Sequence, residues 1–118
     1  MTERARVPER EFQATIVELL DATGYATSHC YPLRTKHGWR TGNTAVGWPD
    51  LVCLRGPAII AIEVKSSSGR PKPEQLEWLD RFAALDSGHG WLIAPDVDFQ
   101  RLARWLQHPH LAPVTFGY

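Results

Sequence analysis

Gly47-Trp48-Pro49-Asp50-Leu51 is followed, twelve residues beyond Asp50, by Glu63-Val64-Lys65. Asp50 opens one strand-like run, Asp50–Leu54, and Glu63-Val64-Lys65 closes another that begins at Ala58. Side chains alternate faces along a strand, so Glu63 and Lys65 share a face while Val64 points into the core. Between the runs lies Arg55-Gly56-Pro57, a turn that predicts antiparallel pairing and returns Asp50 to Glu63. Two carboxylates and an ammonium then meet at one edge of a sheet. Hard divalent cations such as Mg²⁺ are held by one or two carboxylates plus water and substrate phosphate. A cation held in this way activates water and neutralises charge on a phosphodiester, which is the chemistry of a metal-dependent nuclease.

A plainer reading competes with this one. Strand ends are often charged, and a Glu-x-Lys pair there is commonly a solvated surface pair. Pro-Asp is also a frequent turn opening. The run Ile59-Ile60-Ala61-Ile62 weighs against it, because it is apolar throughout. Such a run predicts a central strand covered on both faces, and a carboxylate at its end needs a reason to be there.

The rest of the chain bounds the possibilities. Its 118 residues suit one domain, residues 1–118, with a single core. With 43% apolar residues and five tryptophans, the composition is that of a folded protein. No run approaches the roughly eighteen apolar residues of a membrane helix, so no membrane association is expected. Met1-Thr2-Glu3-Arg4-Ala5-Arg6 leads into no apolar stretch and reads as no signal peptide. Cys30 and Cys53 lack CxxC spacing and read as reduced, buried thiols, which points to the cytoplasm. The net charge is zero, but residues 34–72 hold seven Lys/Arg against two Asp/Glu, a net of +5. Positive charge thus surrounds the candidate acids, where a phosphate backbone would lie.

Residues 9–23 read as a helix, with Phe12, Ile16, Leu19 and Leu20 on one face and Gly24 as the stop. At helical pitch Glu9 falls about 60° from Phe12, inside the apolar stripe, and Glu11 about 100° to the other side. Glu9 therefore either serves the helix dipole or reaches a site that partners its charge. Residues 26–32 read as a first strand. Residues 33–47 carry no periodic pattern and read as a long, mobile loop. There Arg34, Lys36, His37, Trp39 and Arg40 mix cations with an aromatic ring, a mixture suited to phosphate contact and base stacking. Arg70 and Lys72, in the turn after the second strand of the pair, extend the basic segment. A helix is expected from about Pro73 to Leu85, with Gln75 on its inward face. Gly88-His89-Gly90 reads as a turn, Trp91–Ala94 as a fourth short strand, and Asp98–Gln107 as a last helix. Gln75 is then either a site contact or a hydrogen-bond donor to a nearby loop carbonyl.

The order of elements, with Asp opening one strand and Glu-x-Lys closing the next, resembles the core of the PD-(D/E)XK nuclease superfamily. A narrower pattern also matches. Glu9-Arg10-Glu11-Phe12-Gln13, Gly24-Tyr25, His29, Gly47-Trp48-Pro49-Asp50-Leu51, Glu63-Val64-Lys65, Gly69 and Glu74-Gln75-x-x-Trp78-Leu79 look like the VRR-NUC family, the virus-type replication-repair nucleases. The resemblance spans about residues 8–107. Two departures are the longer link Asp86-Ser87-Gly88-His89-Gly90 and Tyr25 where relatives often carry Trp.

The resemblance implies an α/β fold with an αβββαβ core, a mixed central sheet flanked by helices. It also implies a Mg²⁺- or Mn²⁺-dependent endonuclease acting on DNA, often branched, and working as a homodimer in a bacterial or phage-infected cell. Asp50, Glu63 and the main-chain carbonyl of Val64 would hold the cation, and Glu9 a second cation or its water. Lys65 would orient or deprotonate the attacking water, or stabilise the charged phosphorane; its carboxylate neighbours oppose the base role and favour charge stabilisation. Gln75 would position Lys65 or the water. One-metal and two-metal schemes both fit. A catalytically silent DNA-binding protein and an RNA-cutting enzyme of the same fold stay open as alternatives.

Overall fold

A computed structural model describes residues 9–29, 32–36, 38–41, 45–66, 69–94 and 99–107, with the backbone alone for 32–35 and 38–41. The elements run α1 (Glu9–Ala22), β1 (Ala26–His29), β2 (Pro32–Thr35), β3 (Gly38–Thr41), β4 (Leu51–Arg55), β5 (Ala58–Val64), α2 (Pro73–Ala83), β6 (Gly88–Ile93) and α3 (Phe99–Gln107). The main sheet has the order β1-β4-β5-β6. It is mixed: β4 pairs antiparallel with β1 and β5, and β6 runs parallel to β5.

Alternation along the strands sorts the core into two halves. Leu51 and Cys53, then Ile60, Ile62 and Val64, then Trp91 and Ile93 face α1 and α3, where Phe12, Ile16, Leu20, Leu102 and Leu106 complete one cluster. The intervening residues Val52, Ile59, Ala61 and Leu92 face α2, packing with Leu79 and Phe82. Helices therefore cover both faces, and β5 lies inside the sheet, as its unbroken apolar run predicts. Full burial of side chains such as Ile16 and Leu20 contributes roughly 2–3 kcal/mol each.

Helix α1 ends as its sequence predicts. Gly24 takes φ 87, and the Tyr25 amide donates back to the Leu20 carbonyl at 3.0 Å, which satisfies an otherwise open helix end. The far end of the chain is tied to the same region. Tyr25 Oη donates to the Leu106 carbonyl at 2.7 Å, and the Arg55 guanidinium donates to the same oxygen at 3.0 Å.

Three expectations need correction. The first strand is Ala26–His29, and Pro32 belongs not to it but to the next strand; residues 30 and 31 lie outside the described residues. Residues 33–47 are not one long loop: Pro32–Thr35 and Gly38–Thr41 pair as an antiparallel hairpin, with Leu33 opposite Arg40 and Arg34 opposite Trp39. Two strands of four residues, rich in cations and with little apolar alternation, leave no period to detect. Gly88-His89-Gly90 is not a turn but the first half of β6. Its glycines answer to packing. A methyl at Gly88 would overlap the Phe82 carbonyl, and one at Gly90 would lie 2.6 Å from the Leu79 carbonyl oxygen. Both glycines let α2 press its backbone onto the sheet.

Two helix ends fall slightly inside those expected, with α1 ending at Ala22 and α2 at Ala83; Asp98, the expected start of α3, lies outside the described residues. No helix among the described residues is long and apolar enough to cross a membrane. Cys53 is buried and unpaired, with burial holding its thiol up at about 12. Cys30 lies outside the described residues.

Candidate active site

The site is built at the end of β5. Antiparallel register sets Leu51 against Ile62, so Asp50 and Glu63 come next in the same ladder. The Val64 amide donates to Asp50 Oδ2 at 2.8 Å. Parity puts Asp50, Glu63 and Lys65 on the face that α2 covers, while Val64 is fully buried on the other. Lys65 Nζ lies 3.3 Å from Glu63 Oε1; Lys65 is 13% exposed and Glu63 2%. The Lys65 amide continues the parallel ladder, donating to the Ile93 carbonyl at 2.9 Å. Lys65 therefore hangs from paired backbone rather than from a loose tail.

Helix α2 brings the fourth group. Gln75, in its first turn, donates from Nε2 to Glu63 Oε1 at 2.7 Å. Its Oε1 accepts from the Lys72 amide, also at 2.7 Å. The second bond is one arm of a capping box, and it fixes the amide's orientation. With Oε1 committed to the backbone, only the NH₂ group can face Glu63. Of Gln75's two expected roles, the structure shows contact with the carboxylate cluster.

Glu63 is thereby divided. Oε1 takes both Gln75 and Lys65, whereas Oε2 is buried with no hydrogen-bond partner among the described residues. An unpartnered buried acceptor costs about 1–3 kcal/mol, more for a charged group. Burial, and then the charge of Asp50, raise the Glu63 carboxyl well above the usual range, against the pull of Lys65. Asp50 is raised too, chiefly by burial, with the Val64 amide and Lys65 opposing. Glu9 belongs to the same field: burial and Asp50 raise it, while Lys65 and a hydrogen bond with the Ser66 main chain lower it. Glu11 is exposed. Of the two acids opening α1, Glu9 is the one facing the cluster.

Such an arrangement can do two things. It offers anionic oxygen to a hard cation, and it offers an ammonium to an anion beside it. Among the described residues, no group of three or more His, Cys, Asp or Glu side chains is placed to hold a metal ion by itself. The donor set nevertheless suits Mg²⁺ or Mn²⁺. Both take oxygen ligands, Mg²⁺ retains several waters, and a buried carboxylate oxygen without a partner gains one.

Arg70 and Lys72 are exposed on the approach to α2, and Lys36 is exposed in the turn of the hairpin. Arg34, Trp39 and Arg40 lie on the hairpin strands. His37 lies outside the described residues. Two tryptophans near the site carry no role readable from periodicity. Trp48 packs edge-on against Trp78 with ring centres 4.9 Å apart, and Trp78 Nε1 donates to the Val46 carbonyl at 2.9 Å. Only their place in the motif pointed to them.

Compared with protein-family models, characterised proteins and solved structures, the chain matches none.

Proposed function

We propose that this chain is a Mg²⁺- or Mn²⁺-dependent endonuclease that hydrolyses phosphodiester bonds in DNA, with branched DNA as its substrate class and a PD-(D/E)XK-type core. One observation carries the reading. At the end of a buried central strand, Glu63 presents beside Asp50 a buried Oε2 that meets no hydrogen-bond donor among the described residues, with Lys65 3.3 Å from its other oxygen. A structural ion pair has no use for the second buried carboxylate, whose charge opposes the first.

Asp50, Glu63 and the Val64 carbonyl are the residues that would hold the cation. Bound there, it would supply Lewis acidity toward the phosphate and a more acidic water. Glu9 either completes the oxygen ligands or takes a proton from the attacking water. Lys65, ion-paired through Glu63, directs its remaining N–H donors to the phosphate oxygens as negative charge builds on them. Gln75 keeps Glu63 in the rotamer that this requires. Water adds to phosphorus and gives up a proton to Glu9 or, where Glu9 is a ligand, to solvent; the bond to the leaving sugar oxygen breaks, and that oxygen takes a proton from solvent. The exposed cations Lys36, Arg70 and Lys72, with Arg34 and Arg40 of the hairpin, bind the flanking phosphates. On this reading the working unit is a homodimer, which sets one carboxylate cluster against each of two strands.

The test is cleavage of linear, flap, fork and four-way DNA, with an RNA arm, in Mn²⁺ or Mg²⁺. Cleavage of branched DNA that vanishes with chelator and with Asp50→Asn supports the reading. Binding of DNA without cleavage would make the chain a silent binder, and cleavage of RNA alone would move the substrate class. A folded protein that neither cuts nor binds any substrate overturns the proposal.

A further inference from the structure

Asp50 and Gln75 reach the same carboxylate cluster from two separate pieces of chain. The piece before Asp50, Ala45–Pro49, and the first turn of α2 touch at one point. Gly47 sits there with φ +82, and a methyl on it would lie 2.6 Å from the Glu74 carbonyl carbon, 2.7 Å from Glu74 Cβ and 2.8 Å from the Gln75 nitrogen. These are backbone and Cβ atoms of a helix, which cannot swing aside as a side-chain tip can. The touch point is flanked by a wedge. Trp48 inserts between Trp78 and Phe82, with ring centres 4.9 and 5.5 Å away at steep angles. Trp78 Nε1 returns a hydrogen bond of 2.9 Å to the Val46 carbonyl. Pro49, next along, is buried, and Asp50 follows.

We infer that Gly47 and Trp78 are positioning residues that clamp the first turn of α2 to the segment carrying Asp50, so that Gln75 engages Glu63 Oε1 and leaves Oε2 as the oxygen offered to a cation. The clamp explains why a glycine and a tryptophan precede Pro49-Asp50, and why Trp78 stands one turn after Gln75. A methyl at Gly47 pushes α2 outward by a few tenths of an ångström or more. A hydrogen bond of 2.7 Å between Gln75 and Glu63 does not survive much displacement. The cation clause rests on the nuclease reading; the geometric clause does not.

The test compares Gly47→Ala, Trp78→Phe and Gly56→Ala with the parent chain. Gly56 also has positive φ, +55, but an added methyl there meets nothing within 4 Å. It reproduces the backbone strain without the collision. In cation-free protein, the Gln75 side-chain amide resonances are expected to move toward those of a free amide in Gly47→Ala, to move part of the way in Trp78→Phe, and to stay in place in Gly56→Ala. In Mn²⁺ calorimetry, Gly47→Ala is expected to lose about tenfold in affinity, the scale set by partners that orient a ligating group. Gln75→Ala should lose a similar factor, and the double variant no more than Gln75→Ala alone. Gly47→Ala with unmoved Gln75 resonances, or losses that multiply in the double variant, overturns the clamp. If Gly47→Ala does not fold, Trp78→Phe alone and with Gln75→Ala carries the same comparison. A parent chain that takes no Mn²⁺ overturns the nuclease reading instead, and the amide resonances still decide the clamp.

Discussion

Glu63 and Gln75 are joined by a 2.7 Å hydrogen bond that engages one oxygen of a buried carboxylate, while the other has no partner among the described residues. Gln75 cannot reverse its amide, because its own oxygen is held by the Lys72 amide. Helix capping and site geometry thus depend on one side chain. Four residues from three parts of the chain, Asp50, Glu63, Lys65 and Gln75, act as a unit. Their substitutions are therefore expected to be strongly non-additive.

Lys65→Ala should remove cleavage by about 10²–10³-fold, the usual scale for losing one charge-stabilising donor. The side chain is mostly shielded, yet its backbone bond to Ile93 does not depend on it, so the fold should persist. Initial cleavage rates, with circular dichroism as the folding check, decide the point. Parent-level rates in the folded variant would remove Lys65 from the mechanism.

Glu63→Gln should abolish Mn²⁺ binding while leaving the cation-free protein as stable as the parent, or more stable by on the order of 1 kcal/mol. The substitution replaces a carboxyl whose charged form burial and Asp50 oppose with a neutral group of the same shape. Thermal melts with and without Mn²⁺ give both answers. The parent should melt higher with Mn²⁺ and the variant should not respond, since a ligand stabilises only a state that binds it. A variant that melts well below the parent without cation would mean that Glu63 serves the fold.

Glu9→Gln should cut activity sharply and Glu11→Gln should leave it nearly intact. Glu9 shares an electrostatic field with Asp50 and Lys65, and Glu11 is exposed. Single-turnover rates for the two variants provide the comparison. The opposite ranking would assign the site to the wrong acid.

Much of this arrangement could be read in the sequence. Antiparallel pairing through Arg55-Gly56-Pro57 follows from turn chemistry and two strand-like runs, and it places Asp50 beside Glu63. The stripe of α1 separates Glu9 from Glu11 by angle alone. Two features were hidden for different physical reasons. The hairpin of β2 and β3 lacks apolar alternation because two short strands form no core of their own. In β6, Gly88 and Gly90 look like turn residues, although their role is to admit the carbonyls of α2. A glycine required for close approach and a glycine required for a turn look the same until the neighbouring element is placed. The clamp at Gly47 is of the same kind, and only the position of α2 reveals it.

His89 gives the fold a pH dependence of its own. It is buried with Nδ1 lacking a hydrogen-bond partner, and its ring meets the edge of Trp105 with centres 4.7 Å apart. Burial lowers its affinity for a proton in the folded state. The unfolded chain then binds more protons below the ordinary histidine value near 6.5, so stability is full above that value and falls as pH drops through it. Denaturant midpoints measured from pH 7.5 to 5 should decline in the parent and decline less in His89→Phe. Equal slopes would show that other groups govern the acid limb.

The hairpin is where substrate grip should reside. Arg34 and Arg40 lie on its two strands and Lys36 in its turn. The hairpin precedes the segment leading to Asp50 in the chain, and on the nuclease reading its cations would meet phosphates rather than the metal. Neutralising Arg34, Lys36 and Arg40 to Gln together should weaken binding to branched DNA and flatten its salt dependence, because each phosphate that no longer meets a cation takes about one unit from the log–log slope. Mn²⁺ affinity should be unchanged, since none of the three belongs to the carboxylate cluster. Titrations by fluorescence anisotropy at several salt concentrations measure both the affinity and the slope. A parent-like salt slope in the triple variant would relieve the hairpin of any phosphate contact. The net +5 of residues 34–72 would then have to act through Arg70 and Lys72, beside α2, and the same titration on Arg70→Gln with Lys72→Gln would show it.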